Sequence, residues 1–470
     1  MKRMIAACAV LLAAVVFLPF FAGAQELVWD TDRIIDGNIG TANYEPGLVM
    51  QGSNAVAVWR SSQGGLNRIV SCYSSDYGVI WSTEQTIDDG TNTNDKPIVA
   101  MDETNVVAMF KHFTGDGYRY YADYSTNNGV TWNNDSVVSD ATLSQDDLVT
   151  VISGNNVVAL WKQYDGEGAW NMYCDYSADG GATWHTDLEL EQYDTYAERP
   201  DVVICGNFVI VVWRQRYDDI NRIASAYSSD AGATWSTAQL IDNDPGNHAD
   251  TPKLAIADDR VIAVWNQFDE TSSRIYSCYS DDWGLSWSTP VTIDNNPGNN
   301  NYDPQIAADG NRAVVVWRGL SGKYHGYATA TSDNGETWTV PVQLDDNPYN
   351  INGPLKVEMC CKKVVAVWVQ ENASGKYHIY SNYSTDGGAT WDENVMIEDN
   401  TGFGVDSQFG LAMACGNAAA VWRQSDGGKD RIYSNYGNFL NVGSSGSVPV
   451  GPLAAGISAL LVWRKRRKQV

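Results

Sequence analysis

Six apolar runs of one kind punctuate this chain: AVAVWR (55–60), VVALWK (157–162), VIAVWN (261–266), AVVVWR (313–318), VVAVWV (364–369) and AAAVWR (418–423). None alternates, so each reads as a strand covered on both faces. After each comes a half-alternating segment such as IYSCYS (275–280), and before each a shorter apolar run opened by proline, such as DTPKLAIA (250–257). A fourth segment, typified by WSTAQLIDND (235–244), ends in an acidic turn. The unit is therefore four strands, A to D in chain order, and it recurs along nearly the whole chain.

Between the third and fourth strands stands an eight-residue sentence that sets the register. It reads SSDYGVIW (74–81), STNNGVTW (125–132), SADGGATW (177–184), SSDAGATW (228–235), SDDWGLSW (280–287), TSDNGETW (331–338) and STDGGATW (384–391). The closing residues Trp81, Trp132, Trp184, Trp235, Trp287, Trp338 and Trp391 recur every 51 to 53 positions, the period of β-propeller blades. The acid (Asp76, Asp179, Asp230, Asp282, Asp333, Asp386) can accept backbone amides, Gly takes a positive φ, and Trp pins the turn to its sheet. The second copy carries Asn127 at the acid position. This pattern resembles the Asp-box of the sialidase-like BNR-repeat propellers, and the boxes are then expected to be scaffold.

The ends set the blade count. LVWDTDRIID (27–36) places Trp29 in register, 52 residues before Trp81, with no box ahead of it, while residues 410–436 supply three strands and no fourth. Sewing the first strand onto the last sheet would remove open edges and close an all-β, eight-bladed propeller of four-stranded antiparallel blades over residues 25–440. Such a ring is expected to be monomeric.

The flanks read differently. Lys2 and Arg3, an apolar stretch and Ala22-Gly23-Ala24 form a signal peptide over residues 1–24, so export is expected. Residues 441–470 hold a Gly/Ser spacer, a 16-residue apolar run (448–463) and a basic end, Arg464 to Lys468. This layout resembles bacterial C-terminal sorting tails, and any membrane contact is assigned to it alone. The two segments contain seven of the 31 basic residues and none of the 57 acids, leaving 57 against 24 and a net charge of −33. A body so acidic repels a polyanion, which excludes nucleic acid as partner.

Candidate chemistry is sparse. The D-to-A loops IDNDPGNHAD (241–250) and IDNNPGNNNYD (293–303) gather oxygen ligands that calcium would accept, though the same residues build ordinary turns, and no cofactor is otherwise implied. Seven cysteines remain after Cys8, an odd number that reads as small buried hydrophobes. Strand B ends in a cation at Arg60, Lys111, Lys162, Arg214, Arg318 and Arg423, and acids stand by the strand-A proline at Glu45, Asp95, Glu198, Asp250 and Asp303. Paired, these would close each blade.

The sialidase resemblance implies an Arg-Ile-Pro motif, three arginines on a substrate carboxylate, a Tyr nucleophile with Glu, and an Asp acid/base. Here Glu198-Arg199-Pro200 is the nearest approach to that motif, so no catalytic residue is carried over. Blade 4 departs most from the repeat: Arg199, Arg214 and Arg216, with Tyr193, Tyr196, Tyr217 and Asp218, form a candidate anion- or sugar-binding cluster. Two functions follow from these residues. One is a surface-displayed propeller binding glycans or proteins, which the even repeats favour; the other is a divergent glycoside hydrolase.

Overall fold

A computed structural model describes residues 25–37, 42–141, 143–191, 196–295, 299–414 and 416–441. They form eight antiparallel sheets arranged as the eight blades of a propeller. In blade 1 strand A is Asn43–Gln51, B is Asn54–Gln63, C is Leu66–Ser74 and D is Gln85–Thr86. The same four recur in order through blade 7, whose strands are Ile351–Cys360, Lys363–Glu371, Tyr377–Ser384 and Val395–Met396. The main body, Leu27–Phe439, is one compact unit.

Blade 8 closes as the register demands. Its strands Val405–Ala414, Asn417–Ser425 and Asp430–Asn441 are joined by the chain's first two strands, Gln25–Trp29 and Arg33–Ile34. Arg33–Ile34 pairs with Ser434 and Tyr433, the place strand D holds in other blades. Trp29 does the work of a box tryptophan, packing on the core shared by blades 7 and 8 and donating its Nε1–H to Ser381 Oγ at 2.8 Å.

The unbroken apolar runs have a physical cause in the packing. Buried side chains sort into eight clusters, each lying between two adjacent blades. Along strand B of blade 3, Val158 and Leu160 enter the cluster shared with blade 4, and Val157, Ala159 and Trp161 the one shared with blade 2. Both faces of the strand are thus interior, and alternation disappears. A fully buried ring of Trp59, Phe110, Trp161, Trp213, Trp265, Trp317, Trp368 and Trp422 occupies one level of the eight B strands. Most of these indoles find an acceptor two residues on, as Trp213 does on Gln215 at 2.8 Å and Trp265 on Gln267 at 2.9 Å.

The boxes repeat their bonding from blade to blade. Ser177 Oγ donates to Asp179 Oδ1 at 2.8 Å and accepts from Gly181 N at 2.9 Å, while Thr183 donates N–H and O–H to the two carboxylate oxygens at 2.8 and 2.7 Å. Asn127 keeps this geometry with its amide, its Oδ1 accepting from Ser125 Oγ and Thr131 N at 2.9 Å each. The box glycine touches the neighbouring blade: a Cβ at Gly388 would lie 2.5 Å from Val314, and one at Gly129 would lie 2.9 Å from Val56. In six blades the box also bonds the A–B turn of its own blade, as Gly180 N does with Asn155 O at 2.8 Å. Boxes and A–B turns therefore share one face, and the D–A loops and B–C hairpins lie on the other.

Candidate functional site

Strand A of every blade is bulged near its start, on the face opposite the boxes. In seven blades the bulge holds a residue at positive φ: Glu45, Lys96, Asp147, Arg199, Thr251 and Asp303 between 49° and 57°, and Gly353 at 79°. All but Asp147 directly precede a proline. A non-glycine residue held there stores about 1–3 kcal/mol of strain, and the bulge re-aims its side chain. Two cavities result, which between them touch the A strands of all eight blades and so mark the mouth of the ring. One of about 290 Å³ is walled by Gln408 of blade 8, Glu45 of blade 1, Lys96 of blade 2 and Asp146 and Asp147 of blade 3. The other, about 210 Å³, is walled by Arg199, Thr251, Asp303 and Pro354 of blades 4 to 7.

The strand-end cations pair with acids, as the repeat predicts, and several do so across blades. Arg60 reaches Glu45 of its own blade at 3.7 Å and Asp95 of the next at 2.6 Å. Lys162 links Asp147 at 3.1 Å to Glu198 at 3.5 Å, and Arg214 links Glu198 to Asp250, the latter at 3.0 Å. Lys111 meets Asp146 at 3.4 Å, Arg318 holds Asp303, and Arg423 holds Asp406 and Asp430 at 2.7 and 2.8 Å. The chain of bridges lapses where blade 5 has Asn266 and blade 7 has Val369 at the cation position. At the seam, the Tyr44 ring lies between Arg60 and Arg423, 4.5 and 4.2 Å from the two guanidinium carbons.

Burial raises the Glu45 carboxyl above its ordinary range, against the pull of Arg60 and with the push of Asp95. Asp146 is also crowded, yet its bonds to Lys96 and the field of Lys111 outweigh burial and hold it at about 2. Burial pulls the Lys111 ammonium down. These charges neutralise one another locally, and the guanidinium groups of Arg60, Arg214, Arg318 and Arg423 are each committed to at least one carboxylate.

The blade 4 candidates separate into two groups. Arg199 and Arg214 meet on one carboxylate, Asp250, at 3.3 and 3.0 Å, and Arg199 lines the smaller cavity. Arg216, Tyr217 and Asp218 lie at the end of the B–C hairpin, where Asp218 and Asp219 both take positive φ and Arg216 pairs with Asp219 at 2.8 Å. Arg216 also sits 6.0 Å from the Tyr196 ring centre. Tyr193 lies outside the described residues.

The loop acids considered for calcium have other partners. Asp242 is gripped by Arg222 through two bonds of 2.8 Å, Asp294 by Arg274 at 2.6 Å, and Asp244 caps its own turn on Gly246 N and Asn247 Nδ2. Among the described residues no group of three His, Cys, Asp or Glu side chains is placed to hold a metal ion. Of the cysteines, Cys72, Cys174 and Cys278 are buried, Cys205 and Cys361 exposed, and Cys415 lies outside the described residues.

One residue of the larger cavity escapes a reading by composition: Tyr120, on strand C of blade 2, is among its lining residues. Its signal was present in YRYYAD (118–123), as a phenol where most C strands carry isoleucine, but only the strand register reveals the equivalence.

Set beside known proteins, the chain matches a family model described as a BNR repeat-like domain over residues 54–316. A sialidase of Paraclostridium sordellii is 24% identical over 204 residues, 36% of this chain and 49% of that protein, so the match spans about half the relative's length. Among solved structures, the NanB sialidase of Streptococcus pneumoniae is similar at 11% identity, covering 88% of this chain and 71% of that one, with a TM-score of 0.35. An ulvan lyase, a polysaccharide lyase solved with a -[GlcA(1-4)Rha3S]- ligand, covers 87% of this chain and 95% of its own at 11% identity and a TM-score of 0.48.

Proposed function

Since the chain belongs to the family of BNR repeat-like domains, we propose that it is a glycan-binding propeller whose ligand sits at the strand-A mouth. The observation that carries this reading is the pair of cavities, about 290 and 210 Å³, built there from strained bulge residues, prolines and polar side chains. Sugar rings want that mixture: polar groups for hydroxyls and apolar walls for C–H faces.

Hydrolysis of sialosides is the weaker reading, because it needs cations converging on a substrate carboxylate. At the seam two arginines flank Tyr44, but each is already bonded to two carboxylates. The apolar leader and the basic-ended tail, both outside the described residues, support display of the propeller at the cell surface; protease shaving of intact cells should release it. Among the described residues no helix is long and apolar enough to cross a membrane.

A glycan array probed with the full chain, run beside a panel of fluorogenic sialosides and other glycosides, tests the assignment. Saturable binding without turnover is expected. Turnover that disappears in Arg214→Ala would replace the binding reading with hydrolysis.

A further inference from the structure

Blade 2 departs from the repeat at one core position. The strand-C residue opposite the end of strand B is Ile69, Ile223, Ile275, Ile379 and Ile432 in blades 1, 4, 5, 7 and 8. It is Met172 in blade 3 and Gly326 in blade 6. In blade 2 it is Tyr120, opposite Lys111. A phenol has replaced a hydrocarbon at a site where the other blades tolerate no polar atom.

Tyr120 is only 1% exposed, with its ring edge-on to Trp161 at 5.8 Å and the Lys111 ammonium 5.9 Å from its centre. Its backbone bonds Val138 and Ser139, while its hydroxyl has no partner among the described residues. A buried tyrosine hydroxyl normally finds one. Tyr120 lines the larger cavity together with Glu45, Lys96, Asp146, Asp147, Pro97 and Leu148, and the charges of Asp146 and Asp147 act on its phenol. Burial, then the fields of Asp146 and Asp147, hold the phenol well above its ordinary pKa, so it keeps its proton and acts as a donor.

Resting on the glycan-binding reading above, we propose that this cavity is the primary subsite and that it takes a terminal neutral pyranose. The Tyr120 hydroxyl donates to a sugar oxygen at the floor. Carboxylates of Glu45, Asp146 and Asp147 accept from sugar hydroxyls at the rim, and Pro97 and Leu148 pack on a C–H face. At about 290 Å³ the cavity is at the small end of ligand pockets, which begin near ~300 Å³, and has room for one ring. Charge selects the class: each rim carboxylate already holds a cation, Glu45 with Arg60 at 3.7 Å, Asp146 with Lys96 at 2.6 Å and Lys111 at 3.4 Å, and Asp147 with Lys162 at 3.1 Å, so these cations are committed and not free for an acidic ligand. A sialic or uronic carboxylate placed there would meet like charge in a chain of net charge −26.

Calorimetric titration of the full chain with methyl glycosides of neutral hexoses and with matched sialosides and glucuronides tests this. Neutral glycosides should bind and the acidic ones should not. Tyr120→Phe, which keeps the ring and should keep the melting temperature, should weaken neutral binding about tenfold, the worth of one hydrogen bond. Arg260→Ala, on the box face, should leave it unchanged. If no glycoside of any class binds, the glycan reading falls and the subsite with it. If glycosides bind but acidic ones are preferred, or Tyr120→Phe binds like the parent, the subsite assignment alone is overturned.

Discussion

Ser177 and Ser228, in neighbouring blades, each donate to their box acid at 2.8 Å and accept from their box glycine at 2.9 Å. On the other face of the ring, the equivalent bulge positions hold Glu45, Lys96, Asp147, Arg199, Thr251, Asp303 and Gly353, alike in backbone and in nothing else. The two faces are built by the same eightfold plan, yet one repeats its chemistry and the other varies it. A box has one task, to fasten its turn against the next blade, and that task is the same everywhere in the ring. A bulge residue lines a cavity whose other walls come from neighbouring blades, so its surroundings differ from one blade to the next. Uniform residues therefore mark scaffold, and the varied residues at fixed backbone are where the proposed recognition would lie.

The strongest way to break this comparison is to open the ring. Deleting residues 27–36 removes Trp29 and the strand that pairs with Ser434 and Tyr433, exposing the edge of blade 8. Gel filtration should show aggregation, and the cooperative melt should be lost; a monomer melting like the parent would refute closure by this strand.

Next in size is Gly388→Ala on the box face. Its φ is +87° and the new Cβ would lie 2.5 Å from Val314, so strain and overpacking together should cost about 3 kcal/mol in urea unfolding. Glycan affinity should not change. A box substitution that altered affinity at full stability would erase the distinction between the faces.

The smallest effect should come from Lys96→Gly at the mouth, with opposite signs in two assays. Glycine relieves a φ of 50° and loses a half-exposed ion pair, so stability should rise by about 1 kcal/mol. Losing a rim contact should weaken glycan binding about threefold. Stability and binding falling together would mean that the bulge is merely structural.

Much of the fold was legible because its signals are local and repeated. The box is a contiguous octapeptide whose bonds close within four residues, and Trp29 sits in register with it before any sheet is drawn. The pairing of strand-end cations with acids of their own blade, as in Arg60 with Glu45 and Arg318 with Asp303, was legible too, since strands A and B are adjacent in the chain, whereas the bridges to the next blade come from closing the ring. The entry loop of blade 4 differs most from its neighbours in sequence, and the structure places Arg216 and Tyr217 on the B–C hairpin while Arg214 bridges two blades. Tyr120 went unnoticed because it stands among other tyrosines in an ordinary strand.

From the amino-acid order alone come the all-β class, the four-stranded unit, the eight blades and the seam at which the ring is sewn, since spacing and periodicity encode contacts between chain neighbours. Tertiary structure alone decided which side chains meet at the axis. Glu45, Lys96, Asp147 and Gln408 wall one cavity although blades and whole strands separate them in the chain. Likewise, one carboxylate, Asp250, receives both Arg199 and Arg214. Such convergence is set by closing the circle and by the bulge angle, and neither quantity is written in any single repeat.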